Sequence, residues 1–283
     1  MALTITSSSY NGKHAGLYVN AALRTAASLD YMTIRENVNH KEVVNKVAGA
    51  NLVKDQSCDF TENSATLTLT ESVLLVEPFQ INIDLCKTTM LADWSGENED
   101  DFMAYAMTYL ADSIGDSVEH SIWQGSTGTS GQFDKLATGS MTASSASGAY
   151  NASNVVANLG TLVADIPSNV YLKDDLYIYM NKKTYRFYIS AISALQAFPF
   201  NHMGQYTPEF EGIKIAVCNG IADNEMFAGE KSNVFFGTSL SSDLTSVRAL
   251  DMSDLDGSNN VRMVAKWTAG VQTGVASDFT YQS

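Results

Sequence analysis

Cysteine, basic residues and long apolar runs are all scarce in this sequence, and each shortage excludes something. Three cysteines in 283 residues, Cys58, Cys86 and Cys218, are too few for a complete disulfide framework. They read as buried or half-buried thiols of a protein made in a reducing compartment. Seventeen Lys and Arg against 31 Asp and Glu leave a formal net charge of −14. That balance excludes a broad grip on nucleic acid, because phosphate contacts need cations. No stretch approaches the roughly 20 consecutive apolar residues of a membrane span. The leading MALTITSSSYNGKH has no apolar run behind a basic cluster, so export by the general secretory route is not expected. Charged residues make up 17% of the chain, below the roughly 25% of an ordinary soluble protein. A solvated monomer of this size normally carries more charge, so much of the surface is expected to lie against other subunits. Hydrophobic residues reach 45%, enough for one large or two modest cores and too many for a disordered chain.

The charge is unevenly spread. Residues 1–54 carry six basic residues against three acids, residues 55–134 one against fifteen, and residues 135–283 ten against thirteen. A basic leading arm before an acidic block fits complementarity between neighbouring copies. Two solvated faces would give the same distribution. The basic members are Lys13, Arg24, Arg35, Lys41, Lys46 and Lys54.

The hydropathy pattern predicts an α+β chain. Residues 1–14 form a polar arm, and 16–32 place Leu17, Ala21, Leu23, Ala27 and Met32 loosely at helical spacing. Residues 36–77 predict a long projecting hairpin, in which Leu67 and Leu69 alternate with Thr66, Thr68 and Thr70. A lone ribbon is marginal in water, so it needs a surface to lie on. Strict alternation at Phe79, Ile81, Ile83 and Leu85 predicts a strand. A helix is expected over 101–124. It begins behind an acidic run suited to the positive end of its dipole, and its stripe runs Phe102, Ala106, Leu110, Ile114, Val118, Ile122. Gly115 allows a bend there, and Gly125 is the expected left-handed stop. Residues 125–153, rich in Ser, Gly, Ala and Thr, predict a linker or surface loop. Beyond it come a helix ended by Pro167, a strand at 175–181, a helix at 181–196 and a strand at 213–218. Three strands follow at 233–240, 245–252 and 261–272, the last two joined through a turn at Asp256-Gly257.

No catalytic constellation emerges. There is no Walker-type loop and no G-x-S-x-G elbow. Asp116 and His120 stand one helical turn apart, but two ligands do not make a metal site. DMSDLDGSNN (251–260) fails as a calcium loop because Met252 and Met263 fall at its first and last ligand positions. Cys86 beside Lys87 reads as a packed thiol rather than an activated one. No cofactor, metal or catalytic residue is expected.

Taken in order, polar arm, long hairpin, acid-capped helix, mixed α/β block and closing strands resemble the major capsid proteins of tailed bacteriophages, whose Hong Kong 97 fold is shared with encapsulin shells. The resemblance spans nearly the whole chain. It rests on PFQINIDLCKTTMLADW (78–94), EHSIWQG (119–125), DLYIYMNKKTYRFY (175–188), NVFFGTSLSSDLTSVRALDM (233–252) and NNVRMVAKWTAGVQ (259–272). It implies an amino-terminal arm at 1–35 and an extended loop at 36–77. It further implies a peripheral domain at 78–149 with 232–283, built on the 101–124 spine helix, and an axial domain at 150–231. It implies pentamers and hexamers of identical subunits in an icosahedral virion shell, assembled in the host cytoplasm, around double-stranded DNA held without sequence-specific binding. Either a separate scaffold or unaided assembly is expected, with a portal and decoration proteins as further candidate partners; no membrane is expected. One subgroup of the family crosslinks a Lys to an Asn between subunits, and those two residues are not assignable here. Inter-subunit contacts are expected at Arg24, Arg35, Lys41, Lys46, Lys54, Leu67 and Leu69. An acidic inner wall would repel packaged DNA and let it slide during filling. The alternatives are an encapsulin-type compartment, an α/β enzyme with an unfamiliar site, and a secreted surface-array protein, which the absent signal disfavours.

Overall fold

The structure, a computed structural model, describes residues 9–11, 26–50, 53, 55, 58, 66–86, 99–194, 209–239, 246–253 and 256–283; for 9–11, 46, 48–50, 66, 99–109, 246–249 and 251 the backbone alone is described. The first half contains strands β1 (Ser9–Asn11), β2 (Thr33–Arg35), β3 (Lys41–Ala50), β4 (Thr66–Leu75) and β5 (Glu77–Cys86), then helix α1 (Glu99–Gln124) and strand β6 (Thr142–Ser144). The second half runs α2 (Val155–Ala164), β7 (Leu176–Met180), α3 (Lys182–Ala194), β8 (Glu209–Phe210), β9 (Ile213–Val217) and β10 (Met226–Glu230). It closes with β11 (Val234–Gly237), β12 (Ser246–Asp251), β13 (Asn260–Thr273) and β14 (Thr280–Gln282).

The first sheet is organised around β13. Its residues 261–266 pair antiparallel with β12 on one edge and β5 on the other, with Ala265 opposite both Val247 and Ile81. Farther along, β13 pairs with β11, which runs parallel to β2, and β1 closes on β12. The alternation read at 79–85 is the observed burial pattern of β5, with each odd-numbered residue half-buried and each even one exposed.

Helix α1 joins this sheet to the second. Leu110, Ile114, Val118 and Ile122 are all buried, as the four-residue recurrence predicts. Ile114, Val118, Ile122 and Trp123 pack in one core with Phe236, Ala265 and Trp267 from the first sheet and Tyr179 and Phe227 from the second. The helix runs unbroken through Gly115. At 26 residues it is about 39 Å long, from a rise of 1.5 Å per residue.

The second sheet has the order β6-β14-β10-β7-β9-β8. Ile178, Met180, Met226 and Ala228 face Leu159 and Leu162 of α2 and Tyr188 of α3, while Tyr179 and Phe227 face the α1 core. Coverage on both faces explains why LYIYM reads as a continuous apolar run instead of alternating. Gln282 ties the carboxyl-terminal strand in place: its Nε2 donates to the carbonyls of Ser145 and Asn158, and its Oε1 accepts from Tyr150.

Several expectations are corrected. Residues 125–153 are not a free linker, since Phe133, Leu136 and Met141 enter the α1 core. The amides of Lys135 and Leu136 donate to the carbonyls of Gly125 and Ile122, which satisfies the end of α1. Gly125 is therefore required by close approach and not by a left-handed turn: a Cβ there would lie 2.2 Å from the Phe133 carbonyl oxygen. Of the helix read at 16–32, the described part is a 3-10 turn at Ala27–Tyr31 flanked by extended Ala26 and Met32; 16–25 lie outside the described residues. Cys58 and Cys86 are exposed, and Cys218 alone is buried. β6 and β14 pair with each other in the second sheet.

Candidate functional site

The ribbon formed by β3 and β4 is paired over ten rungs, from Lys41 opposite Leu75 to Ala50 opposite Thr66. In an antiparallel pair, directly opposed residues share a face. One face therefore carries Val43 against Val73 and Val47 against Leu69, with Leu67 and Leu75 at its ends. These six side chains are 40–68% exposed, an apolar stripe broken by one polar rung, Asn45 opposite Glu71, and nothing in the described chain covers it. Stripes of this kind mark interaction surfaces.

The root of the ribbon is firmly held. On the opposite face Leu74 is fully buried with Val38, Val76 and Phe235. Ser72 Oγ donates to the Thr273 carbonyl at 2.7 Å, and the Val76 amide to the His40 carbonyl at 2.9 Å. Leu75 crosses directly over β13, where a Cβ on Gly270 would come within 1.9 Å of its carbonyl oxygen. Farther out, that face carries Thr68 and Thr70, both exposed. The result is an anchored arm with one largely apolar face, interrupted at Asn45 and Glu71, and one hydroxyl-bearing face.

The expected contact residues divide three ways. Leu67 and Leu69 lie on the exposed stripe, and Lys41 is exposed at its first rung. Arg35 sits at the root, its guanidinium 5.2 Å from the Phe235 ring centre and 4.0 Å from Glu42. Lys46 occupies the rung opposite Thr70 with its backbone alone described; Arg24 and Lys54 lie outside the described residues. Sequence reasoning missed Val43, Val47 and Val73. Adjacent valines at 43 and 44 hide the alternation, and only the register aligns Val43 with Val73.

A buried polar tie was missed as well. Glu119 of α1 is 5% exposed. Its Oε1 accepts from Ser28 Oγ at 2.6 Å and the Gly220 amide at 3.1 Å, and its Oε2 from the Ser28 amide at 2.9 Å. Trp123 Nε1 donates to Ser28 Oγ at 2.7 Å. The group fastens the segment before β2 and the turn after β9 to the spine helix. It has the geometry of a structural tie: every carboxylate oxygen is engaged by donors from this chain.

Asp116 and His120 are exposed, and no group of three or more His, Cys, Asp or Glu able to hold a metal occurs among the described residues. Burial pushes the Cys218 thiol well above its ordinary range, which keeps it protonated. Asp256 accepts from the Ser258 amide at 2.9 Å and Gly257 has φ +74°, which is turn geometry between β12 and β13. A shallow cleft beside α2, lined by Val163, Ile166, Tyr171 and Leu172, carries one carboxylate, Glu211. Among the described residues no helix is long and apolar enough to cross a membrane.

No family model matches the chain, and no curated protein matches it. Solved structures do. A chain from Gordonia phage Cozz superposes with TM-score 0.64 at 12% identity, covering 91% of this chain and 86% of its own. The capsid of an empty GTA particle gives 0.61 at 13%, covering 91% and 89%. A satellite phage P4 procapsid that includes a size determination protein gives 0.60 at 9%, covering 99% and 93%. The likeness is one of fold: this chain has the α+β Hong Kong 97 architecture that its sequence resembles.

Proposed function

We propose that this chain is the major structural subunit of an icosahedral phage shell, assembling with identical copies into pentamers and hexamers around double-stranded DNA. The observation that carries the reading is the uncovered stripe of Val43, Val47, Leu67, Leu69 and Val73 on an arm that is rigid at its root. Laying that stripe on a neighbouring copy removes it from water, at about 25 cal/mol per Å² of apolar surface buried. The subunit thereby gains free energy only on assembly. The scarcity of charge and the phage-capsid fold support the same reading.

In this reading residues 1–35 are the arm and 36–77 the extended loop. The first sheet with α1 is the peripheral domain, and the helix-covered second sheet, including 142–144 and 280–282, is the axial domain. The chain's role is mechanical rather than catalytic, in the virion capsid, with assembly in the host cytoplasm. Portal and decoration proteins and a separate scaffold complete the set of partners; the size determination protein in the P4 procapsid supports an external assembly factor. The shell encloses DNA behind an acidic wall that repels it, and makes no base contacts.

Electron microscopy of the overexpressed chain tests this. Closed polyhedral particles are expected, and a population of monomers at high concentration would overturn the reading. Particles from infected cells should contain DNA rather than a protein cargo, and emptied particles should bind added DNA weakly even at low salt.

A further inference from the structure

The first sheet ends on an open edge. β5 pairs with β13 along one side over all ten residues, β12 takes the other side of β13, and no described strand pairs with the outer side of 77–85. An edge strand presents unpaired N–H and C=O groups, which proteins blunt by shortness, lysine, proline or a bulge. The other end strands of the two six-stranded sheets, β1, β2, β6 and β8, are two or three residues long. β5 follows no such rule. Past Pro78 it has neither lysine nor proline, and its ladder with β13 is unbroken. Its one later charge, Asp84, is bound to its own sheet by Arg262 through two hydrogen bonds of 2.6 and 2.8 Å. Beside the edge, Ile81, Ile83 and Leu85 stay half-buried although Leu110 and Met263 pack against them.

We propose that this edge is an interface between copies, in which β5 pairs antiparallel with β5 of a second copy about a two-fold axis and continues the sheet from one subunit into the next. The strand is self-complementary in that arrangement. A two-fold perpendicular to the sheet preserves its faces, so the register centres on Ile81 or Asn82. The half-buried apolar residues of the two copies then form one continuous face. In the first register Asp84 stands opposite Pro78 and Glu77 opposite Leu85; in the second Asp84 stands opposite Gln80 and Glu77 falls beyond the strand. No like charges meet in either. A foreign strand would have to match this alternation, whereas a second copy carries it, as isologous contacts require. The contact relies on the shell reading for its abundance of copies, and the experiment separates the two.

In the full chain carrying Cys58→Ser and Cys86→Ser, Asn82→Cys and Ile81→Cys each place a thiol at one of the two axis positions. Opposed antiparallel residues stand about 4.5–5.5 Å apart between Cα atoms, within disulfide reach. Mild oxidation of assembled particles should turn one of the two variants into covalent dimer, at least about ten-fold above a Leu172→Cys control. Dimer at control level in both variants, in particles that electron microscopy shows to be closed, overturns the edge contact and leaves the shell reading standing. Absence of particles at any concentration counts against the shell reading instead, and crosslinking of the free protein then decides the edge contact by the same criterion. Should both variants fail to fold, amide exchange of the unmodified protein decides. Outward-pointing amides of 79–85 exchanging about ten-fold slower in particles than in dissociated subunits support the pairing, and equal rates overturn it.

Discussion

The ribbon and the second sheet are built from the same kinds of residue and use them in opposite ways. Around the second sheet, Leu159, Leu162, Ile178 and Met226 are sealed between helices and strands of one chain. On the ribbon, Val47, Leu67 and Leu69 face outward along an arm of only two strands. An isolated two-stranded ribbon holds its shape poorly in water, so this one is fixed at its root and left for something else to cover. The contrast teaches that the chain divides its apolar surface into a part that folds it and a part left exposed, which the proposed function assigns to contact between copies.

The largest effect expected from that division is on assembly. Replacing residues 43–73 with an Asn-Gly turn joins Glu42 to Leu74, which are already opposed across the ladder. Closed particles should vanish from micrographs, while the subunit's denaturation midpoint stays near that of the parent. Normal shells from this variant would break the comparison.

Next, the same truncation made in each region should read differently. Leu159→Ala empties space in a sealed core and is expected to cost about 2–5 kcal/mol of subunit stability in urea unfolding. Leu69→Ala should change that stability by less than about 0.5 kcal/mol and instead raise the protein concentration needed for assembly. A smaller loss is expected at the tie between regions. Glu119→Gln turns a donor toward the Ser28 amide or the Gly220 amide, at about 1.5–3 kcal/mol. Close to that, Gly270→Ala forces a methyl against the Leu75 carbonyl, at about 1–3 kcal/mol, and amide exchange should quicken first at the ribbon root.

The smallest effect is electrostatic. Hydrogen bonding to Arg262 holds the exposed Asp84 carboxyl below its ordinary value. A carboxyl so depressed stabilises the fold above its unfolded titration point, and that contribution fades as pH falls through the folded one. A side-chain NMR titration should place the Asp84 midpoint below the ordinary Asp value, and Arg262→Gln should return it upward.

Legibility followed the length of the pattern. α1 was readable because its stripe recurs over six turns, and β5 because four apolar residues alternate without interruption. The segment 125–153 was misread because Ser, Gly and Ala are what a loop uses and also what a chain uses when it packs close against a helix end. Strands of three residues such as β6 and β14 carry too few positions for any period to show. The exposed half of the stripe was visible at Leu67 and Leu69, yet Val43, Val47 and Val73 joined it only through the pairing of two strands well separated in sequence. Nothing about Glu119 marks it among the acids of residues 55–134; its partners Ser28 and Gly220 lie 91 and 101 residues away.

The sequence alone determined what depends on local period and overall composition: an α+β chain with a projecting hairpin, a long amphipathic helix, closing strands and few charges. Tertiary structure decided which faces stay uncovered, which carboxylate is buried and which strand ends a sheet. Those properties arise from contacts between residues far apart in the chain, and no local pattern encodes where a distant partner will lie.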